Sequence, residues 1–257
     1  MERDCLGLIA AMPQEIAPLL QRVRRYKKER ASGFNLYRFS LGGSPVALIE
    51  SGMGPAHAAD ATRALIAMAA PRALVNFGFA GGVLPGLRAG ELVLAERAYR
   101  LEGLGLAEAP RPDAALSRLV AEACRAAGLE LRTGSFITAC GITRKDELAA
   151  SVKAELALPV LEMETAAVLQ VAHEAGIPVV ALRGVSDAAD EELGFSIEEL
   201  CDLELNLSPT RLVLTLARKP YLVPQLIRLA GNARKAGRGL AQGVELALQA
   251  LSGNPKD

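Results

Sequence analysis

The chain has 257 residues, of which 51% are hydrophobic and 23% charged, as expected of a soluble globular protein with one large or two small domains. Basic and acidic residues balance at 29 each and tryptophan is absent, which argues against nucleic acid or any other polyanion as a partner. The four cysteines form no CxxC pair and the two histidines complete no zinc-ligand spacing, so we expect reduced thiols and no metal site.

The N-terminal segment MERDCLGLIAAMPQE carries early acids and too short an apolar core for a signal peptide. No uninterrupted apolar run reaches the length of a transmembrane helix. These features predict a cytoplasmic protein.

Short apolar runs alternate with segments of helical periodicity along most of the chain. The predicted strands are 5–11, 34–40, 45–51, 72–78, 91–99, 131–140 and 177–185, and the predicted helices begin at Pro13, Pro55, Asp113 and after Glu164. The turn GGS joins the second and third strands into an antiparallel hairpin. This alternation predicts a single-domain, three-layer α/β/α fold with a mixed, mostly parallel central sheet.

A glycine-rich stretch, VNFGFAGGVLPG, spans residues 75–86. We expect the strand at 72–78 to end there in a flexible turn that contains Gly78, Gly81 and Gly82. Glycines in such a turn would let the backbone approach a ligand closely.

The C-terminal part of the chain differs in charge. Residues 205–244 include seven basic residues and no acid. Apolar residues at helical spacing predict two or three helices with one basic side, and they fall into two sets: Leu222, Leu226, Leu229, Ala230 and Ala233, then Leu240, Val244, Ala247, Leu248 and Leu251. We therefore divide the chain into an α/β domain at 1–205 and a helical extension at 206–257 packed on that domain.

Acidic residues flank one helix–strand unit, LEMETAAVLQVAHEAGIPVVALRGVSDAAD. The helix after Glu164 and the strand before Asp187 both span about 20 Å, so both acids reach the same edge of the sheet. Glu15 follows the first strand and reaches that edge too. Ligands of open α/β sheets bind at the carboxyl ends of strands, which makes these acids site candidates. The alternative is that Glu164 complements the helix dipole and Asp187 caps the next turn.

Four segments together resemble the nucleoside phosphorylase/nucleosidase superfamily, and within it the 5′-methylthioadenosine/S-adenosylhomocysteine nucleosidases. They are LGLIAAMPQEIAPLL, ESGMGPAHAADAT, VNFGFAGGVLPGLRAGELVLAE and the pair LEMETAAV and RGVSDAAD. The last pair is the most specific. The resemblance implies a nucleoside phosphorylase-like fold, at least a homodimer, and neither a metal nor an organic cofactor.

The resemblance also assigns roles to residues. Glu15 would hold or activate the attacking water, and Asp187 would be the general acid that protonates the purine at N7. Glu164 would bind the ribose hydroxyls, with Met163 beside the ribose and Arg183 near the water or anion site. The remaining residues expected to contact the substrate are Phe79, Ala80, Gly81, Ile142 and Ser186.

Two departures from the family pattern bear on the reaction. Phe79 stands in FGFAGG where nucleosidases carry a serine that helps to hold water or phosphate, and Ile142 replaces an aromatic residue that stacks on the base. Phosphorylase relatives hold phosphate with that serine and an N-terminal arginine, whereas this chain has Glu15. The pattern favours water as the nucleophile.

The leading hypothesis is therefore hydrolysis of the N-glycosidic bond of a purine nucleoside such as methylthioadenosine or S-adenosylhomocysteine. A phosphate-dependent phosphorylase and a nucleoside-binding protein without activity are the alternatives. The segment 211–240 resembles the tail of hopanoid-associated relatives, which act on a nucleoside attached to a polycyclic lipid. An apolar, basic tail could touch anionic lipid headgroups, but a helix pair that packs a dimer explains it as well.

Overall fold

The computed structural model describes residues 5–103, 105–141, 143, 145–152, 156–189 and 223–253. The strands in these ranges are β1 (Leu6–Ala10), β2 (Lys27–Ala31), β3 (Phe34–Leu41), β4 (Ser44–Glu50), β5 (Ala73–Gly82), β6 (Leu92–Glu102), β7 (Gly105–Glu108), β8 (Leu131–Thr138), β9 (Val160–Glu162) and β10 (Val179–Asp187). The helices are α1 (Pro13–Val23), α2 (Pro55–Ala69), α3 (Ala114–Ala126), α4 (Lys145–Ser151), α5 (Thr165–Glu174) and α6 (Val223–Ser252).

The strands form one mixed sheet that closes on itself at one end. Strands β5, β10, β6, β8 and β9 pair in sequence, and β9 pairs back to β5, which makes a closed ring. From β5 the sheet continues as an open arm through β1, β4, β3 and β2. Parallel pairs join β1 to β4 and β5, and β5 to β10. The carboxyl ends of β1, β5 and β10 therefore lie at one edge.

Helices cover both faces of the sheet, which confirms the predicted three-layer α/β/α fold. Helices α1, α3 and α6 pack on one face, and α2 and α5 pack on the other. Strand β1 is buried along its whole length because it lies between these layers. This explains its continuous apolar run, since a strand covered on both faces shows no alternation of polar and apolar residues.

Gly78, Gly81 and Gly82 lie in a strand rather than in a turn, so that prediction was wrong. Strand β5 continues through Gly82, where Gly81 pairs with Leu161 of β9 and with Asp187 of β10. Close packing explains the glycines at two positions. A Cβ at Gly78 would lie 2.6 Å from Glu15 Oε1, and a Cβ at Gly81 would lie 2.8 Å from Asp187 Oδ2. The missing side chains make room for carboxylates.

Apart from Leu222, which lies outside the described residues, the two apolar sets predicted in the C-terminal part belong to one continuous helix, α6, and not to separate helices. Its glycines do not break it, because a helix interior tolerates glycine at a cost of about 1 kcal/mol when packing compensates. The second set, from Leu240 to Leu251, is buried in the core shared with α1 and α3. Four basic side chains of α6 are exposed: Arg228, Arg234, Lys235 and Arg238. The boundary proposed at 205/206 lies outside the described residues.

A search of the described helices finds none that is long and apolar enough to cross a membrane.

The buried half of α6 should stabilise the whole fold. We expect Leu240→Ala to lower the free energy of unfolding by about 2–5 kcal/mol, because Leu240 is fully buried and its truncation leaves a cavity. Ile227→Ala, on the same helix at a site that is 68% exposed, should change it by less than about 0.5 kcal/mol. Urea unfolding of both variants measures this, and equal effects would contradict the packing of α6.

Candidate functional site

Glu15 is a buried carboxylate anchored by backbone N–H groups. Its Oε2 accepts hydrogen bonds from the backbone nitrogens of Ala11 and Met12, both at 2.9 Å, and its Oε1 accepts one from Phe79 at 2.7 Å. The chain turns here because β1 ends at Ala10 and Pro13 opens α1, which turns Glu15 back over the strand end. Burial raises the pKa of Glu15, while Arg183 and these backbone donors oppose that rise.

Arg183, on β10, is the centre of the site and is 1% exposed. Its Nη2 lies 2.5 Å from Glu162 Oε2, 2.9 Å from Asn76 Oδ1 and 2.9 Å from Thr165 Oγ1. Its Nη2 is also 3.7 Å from Glu164 Oε2. One buried guanidinium thus faces several oxygens contributed by β5, β9 and the start of α5.

Glu162 is the main charge partner of Arg183. Its carboxylate also receives the Thr138 hydroxyl, the backbone N–H groups of Glu164 and Thr165 at 3.0 and 2.8 Å, and the Thr165 hydroxyl at 2.7 Å. Burial alone would raise the pKa of Glu162, but Arg183 and these donors lower it below the ordinary value. Glu162 is therefore an ionised anchor with its acceptor capacity used inside the protein.

Glu164 lies two residues further on and has the opposite character. Its Oε1 accepts one hydrogen bond, from the backbone nitrogen of Gly54 at 3.0 Å. Burial and the neighbouring charges of Glu162 and Glu15 raise the pKa of Glu164 to about 8, although Arg183 opposes the shift. Glu164 occupies the N-cap position of α5 but makes no capping hydrogen bond with its side chain, so capping does not explain it.

Asp187 ends β10 on the neighbouring part of the same edge. A register shift between Val185 and Asp187 sets the carboxylate against Gly81 of β5. Its Oδ1 accepts a hydrogen bond from Ser186 Oγ at 2.5 Å, and its Oδ2 forms an ion pair with Lys145. The irregularity in β10 therefore accompanies two polar side chains that face β5, Ser186 at the Ala80 carbonyl and Asp187 over Gly81.

The remaining predicted residues fall into three groups. Met163 is half-buried between the two glutamates, and Ala80 is buried with its carbonyl 3.3 Å from Ser186 Oγ. Phe79 directs only its N–H towards Glu15; its ring packs on the opposite face, where its Cζ is 3.5 Å from a Cβ placed on Gly237. Ile142 lies outside the described residues.

Several residues of the site were missed from the sequence. Lys145, Thr138, Thr165 and Gly54 had no local signal, because the contacts that bring them into the site join residues 18 to 110 positions apart along the chain. Asn76 did have one. It is a polar residue in the middle of the apolar run ALVNFGF, and a buried amide requires a hydrogen-bonding partner.

Among the described residues, no three histidine, cysteine, aspartate or glutamate side chains come together as metal ligands. The acids around Arg183 are held by the arginine, by hydroxyls and by backbone N–H groups. Three further carboxyl groups, those of Glu15, Glu164 and Asp187, lie at the same edge of the sheet, and carboxyl groups can accept hydrogen bonds and transfer protons.

Residues 6–217 match the family model of the phosphorylase superfamily. The 5′-methylthioadenosine/S-adenosylhomocysteine nucleosidase of Actinobacillus succinogenes is 30% identical over 207 residues, which cover 76% of this chain and 90% of that protein. The structure resembles the corresponding nucleosidase of Campylobacter jejuni with a TM-score of 0.74 and 19% identity, covering 95% of this chain and 98% of that one. The futalosine hydrolase of Helicobacter pylori gives a TM-score of 0.73 and 17% identity, covering 95% and 97%.

The raised pKa of Glu164 predicts a pH dependence of stability. In the unfolded chain its carboxyl group ionises near 4.5, whereas in the folded protein it keeps its proton to about pH 8. The folded state binds more protons between these values, so the contribution of Glu164 is full below pH 4.5 and is lost as the pH rises through 8. Glu164→Gln should remove this loss, which is on the order of a few kcal/mol between pH 5 and 8.

Urea unfolding of the wild type and the variant at several pH values measures this difference. Glu108→Gln is the control, because hydrogen bonding to Arg97 lowers the pKa of Glu108, so its contribution is lost only at more acidic pH and stays constant between pH 5 and 8. A wild-type-minus-variant difference for Glu164 that does not fall with pH would contradict the assignment.

Proposed function

Because the chain belongs to the phosphorylase superfamily, we propose that it is a nucleosidase that hydrolyses the N-glycosidic bond of adenosine-type nucleosides. Methylthioadenosine and S-adenosylhomocysteine are the expected substrates, and the free base is the product. One observation supports water rather than phosphate as the nucleophile. The positive charge of Arg183 is balanced by the ionised Glu162, and Glu15 and Glu164 are further acids beside it, so the site offers no excess positive charge to a phosphate ion.

The proposed reaction breaks the bond between C1′ of the sugar and N9 of the purine. The bonding electron pair leaves with the base, and the sugar acquires the character of an oxocarbenium ion. Asp187, in its protonated form, transfers a proton to N7, so that the base departs neutral. Water attacks C1′ and gives its proton to Glu15. Glu15 returns that proton to solvent and Asp187 takes one up, which restores the starting state.

Glu164 holds the sugar in this scheme. The carboxyl group of Glu164, fixed by Gly54, can form hydrogen bonds with the two ribose hydroxyls. Such contacts fix the ring geometry. Met163, half-buried beside Glu164, would contact the ribose.

The exposed basic side of α6 supports a narrower proposal for the 5′ substituent. Arg228, Arg234, Lys235 and Arg238 could meet anionic lipid headgroups, in keeping with a nucleoside attached to a hopanoid lipid. A cytoplasmic location, peripheral membrane contact and a homodimer or larger assembly remain predictions.

Release of free base, with and without phosphate, tests the proposed function. We expect adenine from methylthioadenosine or S-adenosylhomocysteine without phosphate, and a loss of about 10²–10⁴-fold in kcat for Asp187→Asn. Asp60→Asn is the control, because Asp60 is 67% exposed on α2, where it pairs with Arg63, and the variant should keep full activity. Strict phosphate dependence would establish a phosphorylase instead. Tight nucleoside binding without any turnover would establish a binding protein.

The space above Gly78 gives a second prediction for this function. In Gly78→Ala the new Cβ would meet Glu15 Oε1 at 2.6 Å and Cδ at 3.1 Å, so the carboxylate that activates water must move. Hydrolysis should fall at least about 100-fold, because catalysis is sensitive to displacements of about 1 Å. Gly231→Ala, on α6 with no atom within 4 Å of the new Cβ, should keep wild-type rates.

A further inference from the structure

A lysine that was not among the predicted site residues contacts Asp187. Lys145, the first residue of α4, forms an ion pair with Asp187 Oδ2, and its Nζ also donates to the backbone oxygen of Ala188 at 2.8 Å. The two side chains are 14% and 17% exposed, so the pair is largely withdrawn from water. The stem of Lys145 lies over β5, since a Cβ on Gly81 would be 3.3 Å from Lys145 Cε.

Both oxygens of the Asp187 carboxylate are held before any ligand enters. Ser186 Oγ donates a hydrogen bond to Oδ1, and Lys145 Nζ forms an ion pair with Oδ2. Lys145 is itself fixed by the Ala188 carbonyl, which belongs to the segment that directly follows Asp187. The carboxylate therefore has one orientation, set from two sides by groups that do not depend on the substrate.

The ion pair represents one particular state of the proposed reaction. A general acid that has given its proton to the base is a carboxylate, and the contact between Lys145 Nζ and Asp187 Oδ2 is the geometry that stabilises that form. Without that cation, proton transfer would leave an uncompensated negative charge in a site that already contains Glu15 and Glu164. A cation placed where negative charge develops lowers the barrier of such a step.

We propose that Lys145 is a positioning residue for departure of the base: it orients Asp187 and stabilises the carboxylate formed when Asp187 protonates the purine. The inference rests on the proposed function. Lys145 stays an ammonium throughout, so it adds no proton transfer. N7 still receives its proton from Asp187, the bond between C1′ and N9 still breaks with its electron pair on the base, and solvent still reprotonates Asp187.

An exposed lysine–carboxylate pair elsewhere on the chain provides the contrast. Lys27 lies 3.3 Å from Glu29 on the edge strand β2, and the two side chains are 75% and 31% exposed. Such exposed pairs contribute little because water and salt screen them. Lys27→Met is therefore a matched control for Lys145→Met, since each variant removes one lysine from one ion pair.

The first measurement is the steady-state hydrolysis of methylthioadenosine by the wild type and by three variants, Lys145→Met, Lys145→Arg and Lys27→Met. Lys145→Met should lose about tenfold to a hundredfold in kcat with a smaller change in KM, because the lysine acts on the step and not on binding. Lys145→Arg keeps the charge and should recover part of the loss. Lys27→Met should match the wild type.

The second measurement uses 4-nitrophenyl β-D-ribofuranoside, whose nitrophenolate leaves without being protonated. Lys145→Met and Asp187→Asn should cleave this riboside at close to the wild-type rate, because neither group is needed for a leaving group of this kind. A structural defect would instead slow both substrates equally. The double variant Lys145→Met/Asp187→Asn should be no slower on methylthioadenosine than Asp187→Asn alone, since Lys145 acts through Asp187.

The outcomes separate this inference from the proposed function. If the wild type releases no base from any nucleoside, the proposed function fails and the inference fails with it. If the wild type is active but Lys145→Met equals it in kcat, or slows both substrates alike, only the inference is overturned. If the double variant is much slower than Asp187→Asn alone, Lys145 acts independently of Asp187, which also overturns it.

Discussion

The buried ion pair between Arg183 and Glu162 is the interaction around which the site is built. A guanidinium that is 1% exposed must be satisfied by charge and by hydrogen bonds, and Glu162, Asn76 and Thr165 provide both. Glu162 uses its acceptor capacity on Arg183 and on other protein donors. Glu164 therefore has fewer donors and less positive charge beside it than Glu162. Removing either Arg183 or Glu162 would leave the other as an unpaired buried charge. Both groups also affect the pKa of Glu164, so the roles of the two glutamates of EMET are linked.

This arrangement depends in turn on the closed ring of strands. Strands β9 and β10 both pair with β5 near Gly81, which brings the residues after β9 and at the end of β10 to the same edge. Strand β1 pairs with β5 on its other side and delivers Glu15 next to Gly78. Carboxylates from three parts of the chain meet at this edge, and glycines stand at the two places where a side chain would collide with Glu15 or Asp187.

Much of this could be read from the sequence, for identifiable physical reasons. Buried strands such as β1 and amphipathic helices such as α3 carry a periodic apolar pattern that does not depend on distant residues. The helix–strand unit from Glu164 to Asp187 was informative because backbone geometry sets the lengths of both elements, and their similar lengths bring both acids to one edge.

The features that could not be predicted from the sequence depend on contacts between distant parts of the chain. Strand β2, with the sequence KKERA, is a charged edge strand and lacks an apolar pattern. The glycines of β5 looked like a turn, because nothing local shows that carboxylates from β10 and α1 will fill the space above them. Lys145 could not be assigned for the same reason, since its partner Asp187 reaches it only after the ring of strands has closed.

The most direct test of the account is a crystal structure of the protein with a non-hydrolysable adenosine analogue in which carbon replaces N9. The account predicts that Glu164 lies within hydrogen-bonding distance of both ribose hydroxyls, that Asp187 faces N7, and that a water molecule lies between Glu15 and C1′. Arg183 should remain on Glu162. A nucleoside bound elsewhere, or bound at this edge with Glu164 turned away from the sugar, would contradict it.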